Sequence, residues 1–402
     1  MNGLPVNKAE DFVLSVCRRS FLSLWCYNNP RGKDGDELCD ILVVCDPHLV
    51  IISVKEVVLK GSEYSAVEHT RWKRKAVDDS VKQIYGAQRW LASASQVIRN
   101  DGTCGVFLPP VAERNVHRVA VAFGGQGEVP IPSGDFGKGY VHVMSECSFH
   151  EVLTELDTVT DFVKYLAAKV NSKCSKFILG SEANLLGWYL FNGRTFPSGL
   201  DAILVDDSIW EDIQEKPEFK RRKEADRESY FWDRLIECLS DPDAKPVIEA
   251  GPQLTNLEFA LRSMAREDRL SRRILGRGVR EFVEQAKAGR LRSRIMLSPS
   301  GVIYVFAFFK PEEETKLRTA ELANRCFLAR HVAGCGDTVI GVGISEYVQG
   351  IGSASDLIYL NLGKWSVSDD KKALRMKADC GYFADAAIRR LNISEDEYPE
   401  SG

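Results

Sequence analysis

Two short apolar runs constrain this chain more than any other stretch. "LCDILVVC" (38–45) and "LVIISVKEVV" (49–58) are rich in Val and Ile, and only Asp46-Pro47-His48 separates them. Runs of this length and composition read as strands, and so short a joint folds them back as a hairpin. Residues 7–19 read as a helix with Asn7 as its N-cap. "FLSLWCY" (21–27) either extends that helix or begins a strand. Residues 66–98 carry one long helical pattern, and 117–125 a further strand. Strands and helices mix in this way throughout, so the fold class is α/β or α+β.

The chain has 402 residues, enough for two or three domains. Gly- and Pro-rich punctuation at 124–139 and the loop "SDPDAKPVIEAGPQ" place limits near 130 and 245. The expected regions are therefore 1–130, 131–245 with a charged helix at 211–240, and 246–402. The last is expected to run helix (255–288), hairpin, helix (312–333), strand, strand. With 53 Lys and Arg against 57 Asp and Glu, the net charge is -4. That balance excludes a generally basic nucleic-acid coat but leaves room for a local basic patch. Eleven cysteines include no CxxC pair and no zinc-finger spacing, and most sit in apolar runs as small hydrophobes. With no apolar leader core and no 18-residue apolar stretch, a reducing, cytoplasmic setting is expected.

The charged residues inside residues 7–91 carry the chemistry. At about 100° per residue, Glu10 falls on the same helix face as Val13, Leu14 and Cys17, while Asp11 turns away. A carboxylate on a buried face needs a partner; a plain N-terminal cap interaction is the alternative. Asp40 stands near the start of the first apolar strand. Lys55 ends the second, with Ser53 on its face by alternation. A structural ion pair would account for that couple too. In the 66–98 pattern, Trp72, Ala76, Ile84 and Leu91 mark a broad apolar face, and Gln83 lies within it. Arg71, Lys75, Lys82 and Arg89 form a nearly straight basic stripe on the other side. That stripe is either a solvated face, as neighbouring Asp78 and Asp79 suggest, or a nucleic-acid contact. Seven arginines between Arg262 and Arg280 offer a second backbone-binding surface.

The order "EDFVLSV…GDELCDILVVCDPHLVIISVK…SVKQIYGA" resembles the core of the PD-(D/E)xK, restriction-endonuclease-like nuclease superfamily, in the layout of its Mrr, NERD and Holliday-junction-resolvase branches. The resemblance covers about a quarter of the chain and implies a central mixed sheet flanked by helices, followed by additional α/β domains. It implies that Glu10 is the helical acid, Asp40 the motif aspartate, Lys55 the motif lysine and Gln83 the helical glutamine of some branches. It further implies a Mg²⁺ or Mn²⁺ cofactor on Glu10 and Asp40, and DNA as partner, cut in bacterial defence or repair. Hard cations of this kind prefer carboxylate oxygen. The chain departs from the pattern at Ser53, which stands where the (D/E)xK acid belongs. Asp40, Glu10 and the Val54 carbonyl then suffice, or a nearby acid such as Glu37 or Glu56 substitutes, or the domain binds without cutting. Strand alternation turns Glu56 away from Lys55, and Glu37 onto the opposite face if the strand extends that far. Self-assembly or a partner subunit stays open. The hairpin, helix and strands of 292–362 echo 38–125, with Lys310 in the place of Lys55 but no counterpart of Asp40. A diverged second copy would therefore lack metal ligands.

Overall fold

The computed structural model describes residues 7–57, 66–125, 133–172, 176–178, 181–199, 202–206, 208–240, 253–310, 312–346, 355–383, 389–390 and 397–398. The chain divides into two compact units, Met1–Lys216 and Pro217–Gly402.

In the first unit α1 (Lys8–Phe21) opens at Asn7, whose side chain accepts from the Ala9 N–H as a cap should. It stops at Leu22, where φ is +70°. "FLSLWCY" therefore does neither of the two expected things along its whole length. A turn of 3₁₀ helix (Ser23–Trp25) leads into β1 (Cys26–Asn28). The expected hairpin forms from β2 (Ile41–Cys45) and β3 (His48–Glu56), antiparallel, with Ile41 opposite Ile52 and Cys45 opposite His48.

The helix expected over 66–98 is built in pieces. These are α2 (Ala66–Lys73), a π-turn (Arg74–Asp78) and α3 (Asp79–Leu91). It ends at Leu91 because Gln96–Ile98 is β4, paired with β5 (Cys104–Phe107). The chain then returns as β6 (Asn115–Phe123), parallel to β3. After β7 (Gly134–Asp135), β8 (Tyr140–Ser145) lies parallel to β6, giving the sheet order β1-β2-β3-β6-β8-β7. The limit expected near 130 is thus overturned: the segment there connects two strands of one sheet. Chain order continues with α4 (Glu146–Glu155), α5 (Val159–Asn171), β9 (Lys176–Ile178), α6 (Glu182–Phe191), β10 (Ala202–Leu204) and α7 (Ile209–Glu215). Strand alternation sorts the hairpin cleanly. Leu42, Val44, Leu49 and Ile51 pack with Trp72, Ile84 and Leu91, so Asp40, Ser53 and Lys55, at the same parity, lie on the α3 face. The opposite face is covered by α1 and α4.

The second unit starts inside the helix expected over 211–240, which breaks at Pro217, the first residue of α8 (Pro217–Asp226). Then come α9 (Tyr230–Ser240), α10 (Gln253–Ala265) and α11 (Arg269–Lys287), the last two replacing one helix over 255–288. The limit near 245 lies outside the described residues. A hairpin of β11 (Ser293–Leu297) and β12 (Ile303–Phe309), then α12 (Thr315–Ala333), β13 (Thr338–Ser345) and β14 (Ser355–Asn361) follow as expected. The capped α13 (Val367–Cys380) and β15 (Arg389–Arg390) are additions; the sheet order is β14-β13-β12-β11-β15. As in the first unit, an antiparallel hairpin is followed by a helix and a strand parallel to the hairpin's second strand. The echo stops there, because β14 is antiparallel to β13 whereas β8 is parallel to β6.

Cys17, Cys26, Cys39, Cys45 and Cys326 are buried thiols outside any disulfide, as their apolar neighbours imply. Among the described residues no helix is long and apolar enough to cross a membrane.

Candidate functional site

The hairpin ends and α3 bring four of the five expected residues into contact. Asp40 immediately precedes β2 and is 1% exposed. Its Oδ2 accepts from the Val54 backbone N–H at 2.5 Å and lies 3.6 Å from Lys55 Nζ. Its Oδ1 accepts from Gln83 Nε2 at 3.4 Å. Ser53, fully buried, donates from Oγ to Gln83 Oε1 at 2.6 Å. The Gln83 amide therefore ties the helix to both strands, as its place on the apolar face predicted.

Glu10 reaches the same region from the first turn of α1. It is half-buried, accepts from Asn7 Nδ2 at 2.5 Å and also bonds the Asn29 side chain. Burial first, and then the charge of Asp40, push its pKa up. The capping alternative is thus partly right: Glu10 bonds its own N-cap while facing Asp40.

Glu37 is the residue that strand reasoning misplaced. β2 begins only at Ile41, so strand alternation does not extend to residue 37. Glu37 accepts from Gln83 Nε2 at 3.3 Å. Burial, a hydrogen bond with Asp40 and the charges of Asp40 and Glu10 raise its pKa to about 7, against the pull of Lys55. Glu56 is exposed, turned away as alternation said. The usable signal for Glu37 was its position three residues before the strand aspartate.

Asn29 was missed as well. Its N–H donates to the Asp40 carbonyl at 2.9 Å, and its buried Oδ1 has no hydrogen-bond partner. Three carboxylates against the single ammonium of Lys55, with an orphaned amide oxygen beside them, leave a surplus of negative charge and of oxygen donors. That is the chemistry a hard divalent cation neutralises. Among the described residues, however, no group of three or more His, Cys, Asp or Glu side chains already stands in metal-holding geometry.

Arg71, Lys75, Lys82 and Arg89 are all exposed, but they do not form the straight stripe expected of one helix. The π-turn inserts an extra residue, which rotates everything after it by about 100° relative to α2. Lys82 also pairs with Asp79 at 2.9 Å. The second expected basic surface is overturned more completely. Arg262, Arg269, Arg272 and Arg273 are buried. Arg272 and Arg269 grip Asp233 at 2.6 and 2.8 Å, and Arg273 meets Asp226 at 3.1 Å, locking α11 to α8 and α9.

Comparison of the chain with protein-family models, curated proteins and solved structures finds no match.

Proposed function

We propose that the first unit is a metal-dependent nuclease of restriction-endonuclease-like layout that hydrolyses phosphodiester bonds in DNA. The observation that carries this reading is the meeting of Asp40, Ser53 and Lys55 with Gln83 at one end of the sheet, beside Glu10 and Glu37. Glu10, Asp40 and Glu37 would hold Mg²⁺ or Mn²⁺, which when bound supplies a clamp for the phosphate and a more acidic water. Glu37 then offers the third carboxylate that Ser53 lacks. Lys55, about one-third exposed, can reach the phosphate or the attacking water and stabilise negative charge there. Gln83 positions Asp40 and Ser53 without an ionisable group of its own.

A second reading has a specific observation in its favour. The motif acid is replaced by Ser53, and Lys55 already pairs with Asp40, so the unit would bind DNA or act as a scaffold without cutting. Incubation with linear, supercoiled and single-stranded DNA under Mg²⁺, Mn²⁺ or EDTA separates the two. The nuclease reading expects metal-dependent cleavage that falls at least about 100-fold in Asp40→Ala and in Lys55→Ala. Retained DNA binding with no cleavage on any substrate would establish the second reading instead. In that case Ser53→Asp, which restores the motif acid, is the variant to test for recovered cleavage.

A further inference from the structure

Beside the carboxylates the first unit opens a cleft of about 290 Å³. Glu37 and Gln83 belong to its wall and to the candidate site at once. Much of the remaining wall is apolar, from Leu38, Ala87 and the half-buried Trp90 ring, and Gly86 on α3, Gly32 and the exposed Asp36 complete it together with Lys33. Two exposed cations stand at the edge. Lys33 lines the cleft, and Arg89 Nη2 lies 3.8 Å from where a Cβ on Gly86 would be.

Gly86 is the informative residue. Mid-helix glycine weakens a helix relative to alanine, so it usually answers a steric demand. The other described helix glycines meet one. A Cβ on Gly187 would come within 3.0 Å of Ile209, one on Gly276 within 2.7 Å of the Glu228 carbonyl, and one on Gly278 would collide with Met296. At Gly86 only the mobile end of Arg89 comes within 4 Å. Nothing in the described protein needs that space.

We propose that the cleft seats one unpaired base next to the phosphodiester bond handled at Asp40, so that the preferred substrate is single-stranded DNA. The identity of the substrate rests on the nuclease reading above. The volume lies near the lower end of ordinary small-ligand sites, roughly 300–1,000 Å³, which suits one base and its sugar and excludes a base pair. A base in a duplex is stacked on both faces and cannot enter without being extruded. Trp90 offers the stacking surface, Glu37 and Gln83 offer hydrogen-bonding groups to a base edge, and Lys33 and Arg89 lie where the flanking phosphates leave the cleft. Gly86 removes the side chain that would fill it.

The test measures binding without catalysis. The full chain in EDTA is titrated into a fluorescein-labelled single strand of about 16 nucleotides and into the matching duplex, and anisotropy is followed. The single strand is expected to bind more tightly. Trp90→Ala should weaken single-strand binding about 10-fold, Trp90→Phe should recover most of it, and duplex binding should stay as it was. Gly86→Leu should weaken the single strand similarly while its melting temperature is no lower than wild type, since leucine favours the helix. A duplex preference, or unchanged single-strand binding in both Trp90→Ala and Gly86→Leu, would overturn the proposal. Failure of the nuclease reading shows separately, as absent metal-dependent cleavage by a chain whose single-strand binding still responds to Trp90.

Discussion

Asp40 is held so that its charge has several partners before any ligand arrives: a backbone N–H, an amide and an ammonium group. Its neighbours Glu10 and Glu37 are less well provided, and both titrate higher than free carboxyls for the same first reason, burial. The consequence for stability has a definite sign. Glu37 takes up its proton near pH 7 in the folded chain and near 4.5 as a free carboxyl. Its contribution is therefore full below about pH 4.5 and is lost as pH rises through about 7. Thermal unfolding in EDTA should show stability from this group falling across that window, with the fall reduced in Glu37→Gln. Ca²⁺, used as a hard ion in place of Mg²⁺, should raise the melting temperature more at pH 8 than at pH 6, because it displaces a proton at the lower pH. An ion response that does not vary with pH would remove Glu37 from the ligand set. Ser53 and Lys55 were legible in the sequence because strand alternation is strictly two-fold, and Asp40 because it stands at the start of the first apolar run. Glu37 was not, because it belongs to a loop, where no such period applies.

Helices were harder to read than strands, and the reasons are tertiary. The α2–α3 segment has the composition of one helix, and no residue type announces a π-turn. Its presence accounts for the burial of Val81 and Tyr85 and leaves Gln83 and Trp90 half-buried, at the edge of the apolar face. The arginines of α11 misled for a related reason. Glu267 and Asp268 are the only acids between Arg262 and Arg273 in sequence, whereas Asp226 and Asp233 come from helices 36 to 47 residues before their partners. Burial works against the charge of Asp233, but Arg272 and Arg269 outweigh it and hold its carboxyl below the usual range. Removing Arg272 leaves the buried Asp233 with one arginine in place of two, and takes away the hydrogen bonds that Arg272 donates to the Ala265 and Glu267 carbonyls. Arg272→Ala should therefore cost about 3–5 kcal/mol in chemical denaturation and leave the affinity for DNA unchanged. Weakened DNA binding in a variant that remains folded would return this helix to the recognition surface.

At the scale of the molecule, the mix of strand and helix patterns sufficed for the class, whereas the three regions drawn from loop composition meet two compact units with other limits. A Gly- and Pro-rich segment marks a turn equally well between domains or between strands of one sheet, and only the β6–β8 pairing decides. The two sheets share a hairpin register that the sequence hinted at through Lys55 and Lys310. Asp40 stands opposite Ser53, one step beyond the Ile41–Ile52 pair; Arg292 stands opposite Phe308, one step beyond Ser293–Ala307. Lys55 and Lys310 each follow two residues after that second position. Where the first unit gathers carboxylates around Asp40, the second has a guanidinium held by Glu313 at 2.8 Å and Glu321 at 3.3 Å. The chain thus carries its own reference channel. A divalent ion that acts only through general ionic strength should alter both hairpins alike. One captured by Glu10, Glu37 and Asp40 should slow amide hydrogen exchange in β2–β3 and leave β11–β12 as it was. A single exchange experiment on one sample would then read signal and blank together.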